Sequence, residues 1–181
     1  NNKTKSRRGP AAAAEVEERE EQEDASDQEF DLDLANKLRL SRDIISQWIY
    51  RDGFEDISHK CLLRISLGSG MYRIVELRKL VKYHRTYLIK PGTPTNLAVN
   101  VRHAKAERVF TFEIVSNSPF TEAEFMHWKR ECDREGVKLP YNSVTARRKI
   151  QKLKAFNSEA LTDSMIASMI ERRKDLLDAQ A

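Results

Sequence analysis

The sequence has few of the residue types that mark secreted, membrane-spanning or metal-binding proteins. Its 181 residues include two cysteines, Cys61 and Cys132, which match no metal-ligand spacing and supply no disulfide framework. No apolar run approaches the roughly 18 residues of a membrane span, and the first residues lack the apolar stretch of a secretory signal. We therefore expect a protein of a reducing compartment, the cytosol or the nucleus, with no membrane partner.

Motifs for catalysis and for cofactors are also missing. The four histidines are scattered along the chain without ligand spacing. The glycine-containing turn at residues 68–70 lacks the Lys and the helix that follow a phosphate-binding loop. Neither cysteine lies in a motif typical of a nucleophile. The sequence predicts no enzyme activity, no metal and no cofactor.

Charge is plentiful but unevenly distributed. Residues 1–33 contain five basic and eleven acidic residues, a net charge of −6, whereas residues 34–181 contain 27 basic and 17 acidic, a net charge of +10. We interpret residues 1–33 as an acidic disordered tail or linker, because they offer a helix no apolar packing face. The alternative is an acidic arm for a basic partner or for the domain's own basic groove. Residues 34–175 form the predicted domain, and residues 176–181 a C-terminal tail.

Hydrophobic periodicity divides the domain into helices, strands and helices again. The helical period predicts a short helix near 31–37 and another from Arg42 to about Arg51, capped by Ser41 and ended by Gly53. After the strands, a capping box at Thr121 begins a helix that Gly136 stops. A basic helix over 143–156 and a last helix from Ser158 or Thr162 follow.

The central part alternates with a period of two, which is typical of strands. We predict about five short strands, over residues 60–67, 71–81, 84–89, 97–101 and 108–116, with a loop at 90–96 and a polar turn at 102–107. In the last strand Phe110, Phe112 and Ile114 share one face. Helices outside a run of antiparallel strands indicate an α+β fold, here built on a small, strongly bent barrel or half-barrel.

Two arginines contradict the pattern of their own strands. Arg73 shares its face with Met71, Val75 and Leu77, and Arg108 shares its face with Phe110. A guanidinium on an apolar face needs an anion, since an unpaired charge there costs several kcal/mol. For Arg108, the alternative is a solvent-exposed position at the end of its strand. For Arg73, the alternatives are that its side chain reaches the solvent at the rim of the apolar face or pairs with an acidic residue of the chain, Glu76, Glu107 or Glu113.

Arg42 is the third arginine with a suggestive position. It follows the predicted N-cap Ser41, where free backbone N–H groups and the helix dipole favour an anion. Its planar guanidinium suits a phosphate. A solvated residue in the first helical turn is the alternative. Together, the three arginines suggest one anion pocket beside aromatic side chains.

Several short strings of the sequence are familiar as a set. They are Leu40-Ser41-Arg42, Tyr72-Arg73-Ile74-Val75-Glu76, Thr95-Asn96, Arg102-His103, Arg108-Val109-Phe110, Ile114-Val115-Ser116-Asn117, Phe120-Thr121-Glu122, Glu124-Phe125 and Trp128-Lys129. Together they resemble the Plus-3 domain of the Rtf family (restores TBP function) of transcription elongation factors, which work with the Paf complex on RNA polymerase II. The resemblance covers residues 34–175, and its longest string, RVF-x-x-E-x-VSN-x-x-FTE-x-EF-x-x-W-K, is specific.

The resemblance implies a fold and a function. The expected fold is α+β, with helices flanking a small Tudor-like bent β-barrel that carries an inserted hairpin. The expected function is to bind threonine-phosphorylated repeats in the C-terminal region of the large subunit of the DRB-sensitivity-inducing factor. Binding of these repeats recruits the Paf complex, with its other subunits, to the elongating RNA polymerase II complex in the nucleus.

The resemblance also identifies candidate site residues. Arg42 and Arg108 match the family's phosphate-binding arginines, and Arg73 is expected to be the third positive residue. Ile114 matches a position that touches the peptide, where Ile keeps an apolar contact and loses any stacking. Further peptide contacts are expected from Tyr72, Arg102 and Phe112.

Two other functions remain open from the sequence. The basic part of the chain, residues 34–181 with a net charge of +10 and exposed aromatic residues, suits single-stranded DNA. It would follow the DNA backbone while bases stack on the aromatic rings. In the second alternative the chain is a structural adaptor, in which the basic helix 143–156 docks an acidic partner surface.

Overall fold

The computed structural model describes residues 29–180. Of the acidic tail predicted over residues 1–33, residues 1–28 lie outside the described residues, as does Ala181. Within residues 29–180 the chain forms six α-helices and one four-stranded antiparallel sheet. The helices are α1 (Leu32–Lys37), α2 (Arg42–Trp48), α3 (Phe54–Ser58), α4 (Glu122–Arg134), α5 (Ser143–Ser158) and α6 (Asp163–Gln180), and the strands are β1 (Leu62–Gly68), β2 (Met71–Lys90), β3 (Thr93–His103) and β4 (Ala106–Phe110).

The sheet has the order β1-β2-β3-β4 and is not closed into a barrel by hydrogen bonds. The α+β class is therefore confirmed, whereas the expected small bent barrel is left open between β4 and β1. β4 has five residues, and the chain then turns into a 3₁₀ helix over Phe112–Ile114. Because the 3₁₀ helix changes the direction of the chain after β4, the segment that follows it forms with β1 only one isolated bridge, between Ile65 and Val115.

The predicted strands over 71–81 and 84–89 are one continuous strand of 20 residues, β2. β1 pairs with β2 only over residues 71–76, and β4 pairs with β3 only from Val99 to His103. The far part of β2 and the first part of β3 therefore extend beyond the other strands as a hairpin. The predicted loop at 90–96 shrinks to its tip, because Thr93, Pro94 and Thr95 already pair with β2.

The polar turn predicted over 102–107 is also shorter than expected. β3 continues through His103 and β4 begins at Ala106. Only Ala104 and Lys105 connect them, with Ala104 at φ +51°, a left-handed backbone conformation that short hairpin connections require.

The helical lead-in agrees with the sequence in its first two helices. Ser41 caps α2, and its side chain accepts a hydrogen bond from the backbone N–H of Ile44. Gly53, expected to end this helix, instead precedes α3 with φ +86°. The five residues of α3 were not predicted, since a single helical turn has no periodicity to detect.

The C-terminal helices match the predicted signals closely. Thr121 and Glu124 form the reciprocal capping box of α4, and the chain leaves this helix at Gly136, whose φ is +69°. Asn142 and Thr145 form a second capping box at α5. Trp128 of α4 is 2% exposed and packs near Phe30 and Phe125. The helices thus cover the sheet around one core.

The last helix, α6, packs against the hairpin of β2 and β3. Arg172 donates to the backbone oxygen of Tyr50, and Arg173 donates to that of Gly92 at the hairpin tip. Ile166 and Ile170 of α6 remain 41% and 62% exposed. Among residues 29–180, no helix combines the length and apolar character that crossing a bilayer requires.

Candidate functional site

Two cavities lie near the turn between β1 and β2. In this hairpin Ser66 pairs with Tyr72, and Ile65 pairs with Arg73. Because neighbouring residues of a strand point to opposite faces, Ser66 and Tyr72 line one cavity while Ile65 and Arg73 line the other. We call them the Arg42 cavity and the Arg108 cavity. The three arginines that the sequence singles out are therefore divided between two cavities.

The Arg42 cavity has a volume of about 500 Å³. Its lining combines the start of α2, the β1–β2 hairpin and the segment that follows β4. The residues are Arg42, Ser66, Tyr72, Glu113, Ile114, Val115, Ser116, Asn117 and Ser118. Three candidate site residues, Arg42, Tyr72 and Ile114, are thus brought together around one space.

Arg42 enters this cavity with unused hydrogen-bonding capacity. Its Nη1 donates to the backbone oxygen of Glu113 at 3.5 Å, which is the limit of a hydrogen bond. Its Nε is buried and has no acceptor among the described residues. A buried guanidinium N–H without a partner is unfavourable, so an anionic ligand in this cavity would supply the missing acceptor.

The backbone N–H groups at the start of α2 do not share this capacity. The N–H of Asp43 donates to Oδ1 of Asn117 at 2.9 Å, and the N–H of Ile44 donates to Oγ of Ser41 at 3.1 Å. These two N–H groups are therefore not available to an anion. The side chain of Arg42 is the charged donor at this position.

Glu113 opposes an anion in the same cavity. Its carboxylate accepts a hydrogen bond from Oγ1 of Thr111 at 2.6 Å and is exposed. A phosphate near Arg42 would interact with both charges, and the attraction to the half-buried guanidinium is screened less by water than the repulsion from an exposed carboxylate.

Tyr72 is held in position by an ion pair behind it. The guanidinium of Arg64 lies over the Tyr72 ring at 3.7 Å. Arg64 in turn donates to both carboxylate oxygens of Glu124, at 2.7 and 2.9 Å. Burial raises the pKa of Glu124, but the hydrogen bonds from Arg64 and Thr121 outweigh it and bring that pKa below its usual range. The Tyr72 ring therefore rests on a rigid, charge-neutral support.

The Arg108 cavity is smaller, about 180 Å³, and mostly apolar. It is lined by Ile65, Leu67, Arg73, Val75, Val101, His103, Ala106, Arg108 and Phe110. The expectation that Arg73 shares a face with Val75, and Arg108 with Phe110, is confirmed by this lining. No carboxylate lines the cavity, so its two arginines make it positive.

None of the three internal partners considered for Arg73 forms an ion pair with it within residues 29–180. Arg73 donates to the backbone oxygen of Tyr72 at 3.1 Å, and no ion pair of Arg73 occurs within residues 29–180. Glu76 instead binds Arg78 and Arg102, at 2.6 and 3.0 Å. Arg108 is exposed, with its guanidinium 5.8 Å from the Phe110 ring. Both arginines of this cavity can therefore accept an external anion.

Two candidate peptide contacts lie away from both cavities. Phe112 is 0% exposed, because the 3₁₀ helix turns its ring into the core, and its N–H donates to Oη of Tyr87 at 3.0 Å. Arg102 is bound to the buried carboxylate of Glu76. Neither side chain lines the space that a peptide would fill.

Sequence reasoning missed the small polar residues of the Arg42 cavity. Asn117 accepts from the backbone of Asp43 and, through its own carbonyl, from Nη1 of Arg39 at 3.4 Å. The cluster Ser116-Asn117-Ser118 indicates a structured loop, but from the sequence we interpret this loop only as the connection that leads into α4. His103 lines the Arg108 cavity; it occurs in one of the strings that carry the resemblance, but the sequence did not mark it as a site residue.

Two further cavities contain none of the predicted site residues. A cavity of about 840 Å³ lies between α4 and α5. A basic cavity of about 290 Å³ lies between α5 and the end of α3. Within residues 29–180 no group of three His, Cys, Asp or Glu side chains is placed to hold a metal ion.

Comparison with known proteins places the chain beside a described family and a relative of known name. Residues 35–133 match the family described as the Plus-3 domain. Over 171 residues the chain is 25% identical to a protein of Schizosaccharomyces pombe (strain 972 / ATCC 24843) that is named as RNA polymerase-associated. The aligned region is 92% of this chain and 30% of that relative, so the chain spans about a third of the relative's length.

Proposed function

The chain belongs to the Plus-3 domain family, and from this we propose that it is the phosphopeptide-binding module of an RNA polymerase II elongation factor. Its ligand is a threonine-phosphorylated repeat from the C-terminal region of the large subunit of the DRB-sensitivity-inducing factor. Binding of the repeats recruits the Paf complex to elongating polymerase in the nucleus. The Schizosaccharomyces pombe relative is named as an RNA polymerase-associated protein, which supports this assignment.

The observation that carries the proposal is the state of Arg42. Its buried Nε lacks an acceptor among the described residues, and it lines a cavity beside Tyr72 and Ile114. Phosphothreonine brings about −1.5 to −2 charges and three acceptor oxygens. Tyr72 and Ile114 then provide the apolar contacts for the peptide on either side of the phosphate.

Arg108 and Arg73 complete the phosphate site in this proposal. Both line a positive cavity without a carboxylate, at the same hairpin as the Arg42 cavity. Arg108 is exposed, so its long side chain is free to reorient toward a phosphate held by Arg42. Without phosphate the positive charges repel one another, which explains discrimination against the unphosphorylated repeat.

The expected affinity follows from these contacts. Each charge-assisted hydrogen bond contributes about 1.5–3 kcal/mol, and ordering a flexible peptide offsets part of this gain. We expect a dissociation constant on the order of micromolar for one repeat. Several repeats on one partner would raise occupancy through multivalency.

Replacement of either phosphate ligand tests the proposal. In Arg42→Ala or Arg108→Ala, binding of the phosphorylated repeat should weaken by about tenfold to a hundredfold, the loss of one or two charge-assisted bonds. Fluorescence anisotropy with matched phosphorylated and unphosphorylated repeat peptides measures the change. Thermal unfolding of each variant shows whether the domain remains folded.

Arg85→Ala is the matched control, because Arg85 is an exposed arginine of β2 whose guanidinium contacts Tyr83 and lines neither cavity. Its binding should equal that of the parent. If Arg42→Ala and Arg108→Ala bind the phosphorylated peptide as well as Arg85→Ala does, the proposed site is wrong.

Single-stranded DNA is the second candidate ligand. The observation in its favour is α5, which has five basic residues and no acidic one. Binding through such a surface depends on many charges, falls steeply with salt and is indifferent to one arginine. An oligonucleotide that binds Arg42→Ala and the parent equally, with a steep salt dependence, would support this function.

A further inference from the structure

The basic cavity beside α5 concentrates positive charge between this helix and the segment that joins α3 to β1. Five basic or titratable side chains line it, against one carboxylate, that of Asp56. The five are His59, Lys60, Arg148, Lys149 and Lys152. The 16 residues of α5 include no Asp or Glu, so the helix itself offers these charges no compensation.

Two of the lysines are fixed in place by neutral partners. Nζ of Lys149 donates to the backbone oxygen of Ile57 at 2.7 Å, and Nζ of Lys60 donates to that of Pro140 at 3.2 Å. Neither lysine forms an ion pair within residues 29–180. Burial, together with the charges of Lys152 and Lys60, lowers the pKa of Lys149. The cavity therefore holds ordered ammonium groups with further N–H donors available to an anion.

The N-terminal end of the described chain enters the domain at the same place. Phe30 is 5% exposed, and its ring lies 6.1 Å from the Tyr141 ring. Tyr141 also lines the basic cavity, with Nζ of Lys60 5.0 Å from its ring. Glu29 binds Nζ of Lys129 at 2.7 Å. Glu29 and Phe30 thus lie within a short distance of the basic cavity, which shares Tyr141 with the cavity between α4 and α5 that Lys129 lines.

The sequence that precedes Glu29 is strongly acidic. Residues 15–27 contain eight acidic residues and one basic residue, Arg19. Thirteen residues of extended chain reach up to about 40 Å, far more than the ring-to-ring and ring-to-ammonium distances between Phe30, Tyr141 and Lys60. A tether this short gives an effective concentration on the order of millimolar.

We propose that the acidic segment 15–27 of this chain binds intramolecularly in the basic cavity formed by α5 and the end of α3. The contact consists of several partly exposed ion pairs, each worth little alone, and the tether makes their sum effective. It is sensitive to salt. It covers the most basic helix of the domain, so another polyanion has to displace the segment before it reaches α5.

A nitroxide on the segment tests this contact in the full chain. Gln22 is replaced by Cys and spin-labelled, which is selective because Cys61 and Cys132 are buried. In the parent, amide signals of residues 56–60 and 145–152 should broaden. This broadening should be lost with Glu20→Gln, Glu21→Gln and Glu23→Gln in the segment, none of which changes a residue within 29–180.

Two pairs of variants on the domain complete the test. Arg148→Gln with Lys152→Gln removes charges that line the cavity and should also abolish the broadening. Lys154→Gln with Lys174→Gln removes two exposed charges that do not line it and should leave the broadening unchanged. High salt should weaken it in the parent.

Two outcomes would overturn the proposal. The first is broadening at residues 56–60 and 145–152 that persists with Glu20→Gln, Glu21→Gln and Glu23→Gln. The broadening would then result from the covalent tether alone and not from charge. The second is a parent without this broadening, in which the same amides shift on addition of a single-stranded oligonucleotide. That result would assign the cavity to nucleic acid.

Discussion

Arg42 and Glu113 show how one cavity combines attraction and repulsion for the same ligand. The Arg42 guanidinium has a buried donor without an acceptor among the described residues, while the exposed Glu113 carboxylate lines the same space. The carboxylate is bound only by the nearby Thr111 hydroxyl. Its presence would lower affinity for a phosphate and leave affinity for an unphosphorylated peptide nearly unchanged.

Replacement of Glu113 by Gln should therefore strengthen phosphopeptide binding by about two- to fivefold, the effect of removing one exposed like charge. The gain should shrink at high salt. Anisotropy titrations with the phosphorylated and unphosphorylated peptides provide the measurement. Glu107→Gln is the control, because Glu107 is exposed and lines neither cavity. Unchanged or weaker binding by Glu113→Gln would place the phosphate away from this cavity.

Residue positions on strands could be predicted wherever the strand is regular. Parity correctly grouped Arg73 with Val75 and Arg108 with Phe110. It failed for Phe112, because the 3₁₀ helix begins after Thr111 and changes the direction of each side chain that follows. A single turn of 3₁₀ helix leaves no periodic signal, so the burial of Phe112 could not be read from the sequence.

At the scale of elements, the pair of Arg64 and Glu124 joins the sheet to α4. Arg64 on β1 donates to both oxygens of Glu124, and also to Oγ of Ser116 at 3.0 Å. Glu124 completes the capping box of α4 with Thr121. The side chains of this pair are 10% and 13% exposed. The sequence predicted the capping box, but nothing in it indicated that the same carboxylate binds β1.

We expect Glu124→Gln to lower the free energy of unfolding near neutral pH by about 1–3 kcal/mol, since a charge-assisted pair loses its charge. The pKa of Glu124 is lowered in the folded state below the ordinary 4.5. Its stabilising contribution is therefore present above that value and is lost as pH falls through the folded pKa. The difference between parent and variant should shrink in acid.

Urea unfolding of both proteins, near neutral pH and well below pH 4.5, measures this effect. Glu122→Gln is the control, because Glu122 is an exposed residue in the first turn of the same helix. For each protein, the loss is the difference between its free energy of unfolding near neutral pH and in acid. If this loss is as large in Glu124→Gln as in the parent, the pair is not the source of the acid sensitivity.

Element boundaries were predictable in the helices and less so in the strands. Ser41, Thr121 and Gly136 carry local signals of helix start or stop, and each signal was confirmed. The extension of β2 over 20 residues depends on pairing with β3, which is a long-range event. For the same reason the open edge between β4 and β1 was not predictable.

At the scale of the whole molecule, charge separates two parts with different roles. Residues 34–181 carry a net charge of +10, and residues 1–33 carry −6. Within the basic part, the Arg42 and Arg108 cavities lie at the β1–β2 hairpin, whereas the cavity beside α5 takes its lysines from α5 and the end of α3. In our account the first region binds the phosphopeptide and the second binds the chain's own acidic segment.

Arg42 and Arg108 line separate cavities in the free protein. We propose that they bind the same phosphate. The most direct measurement is ¹H–¹⁵N NMR of the arginine Nε–H signals, assigned with Arg42→Lys and Arg108→Lys, during titration with phosphorylated and unphosphorylated repeat peptides. We predict that both Nε–H signals shift together with the phosphorylated peptide and that neither shifts with the unphosphorylated one. A phosphopeptide that saturates the protein while either signal stays in place would contradict the account.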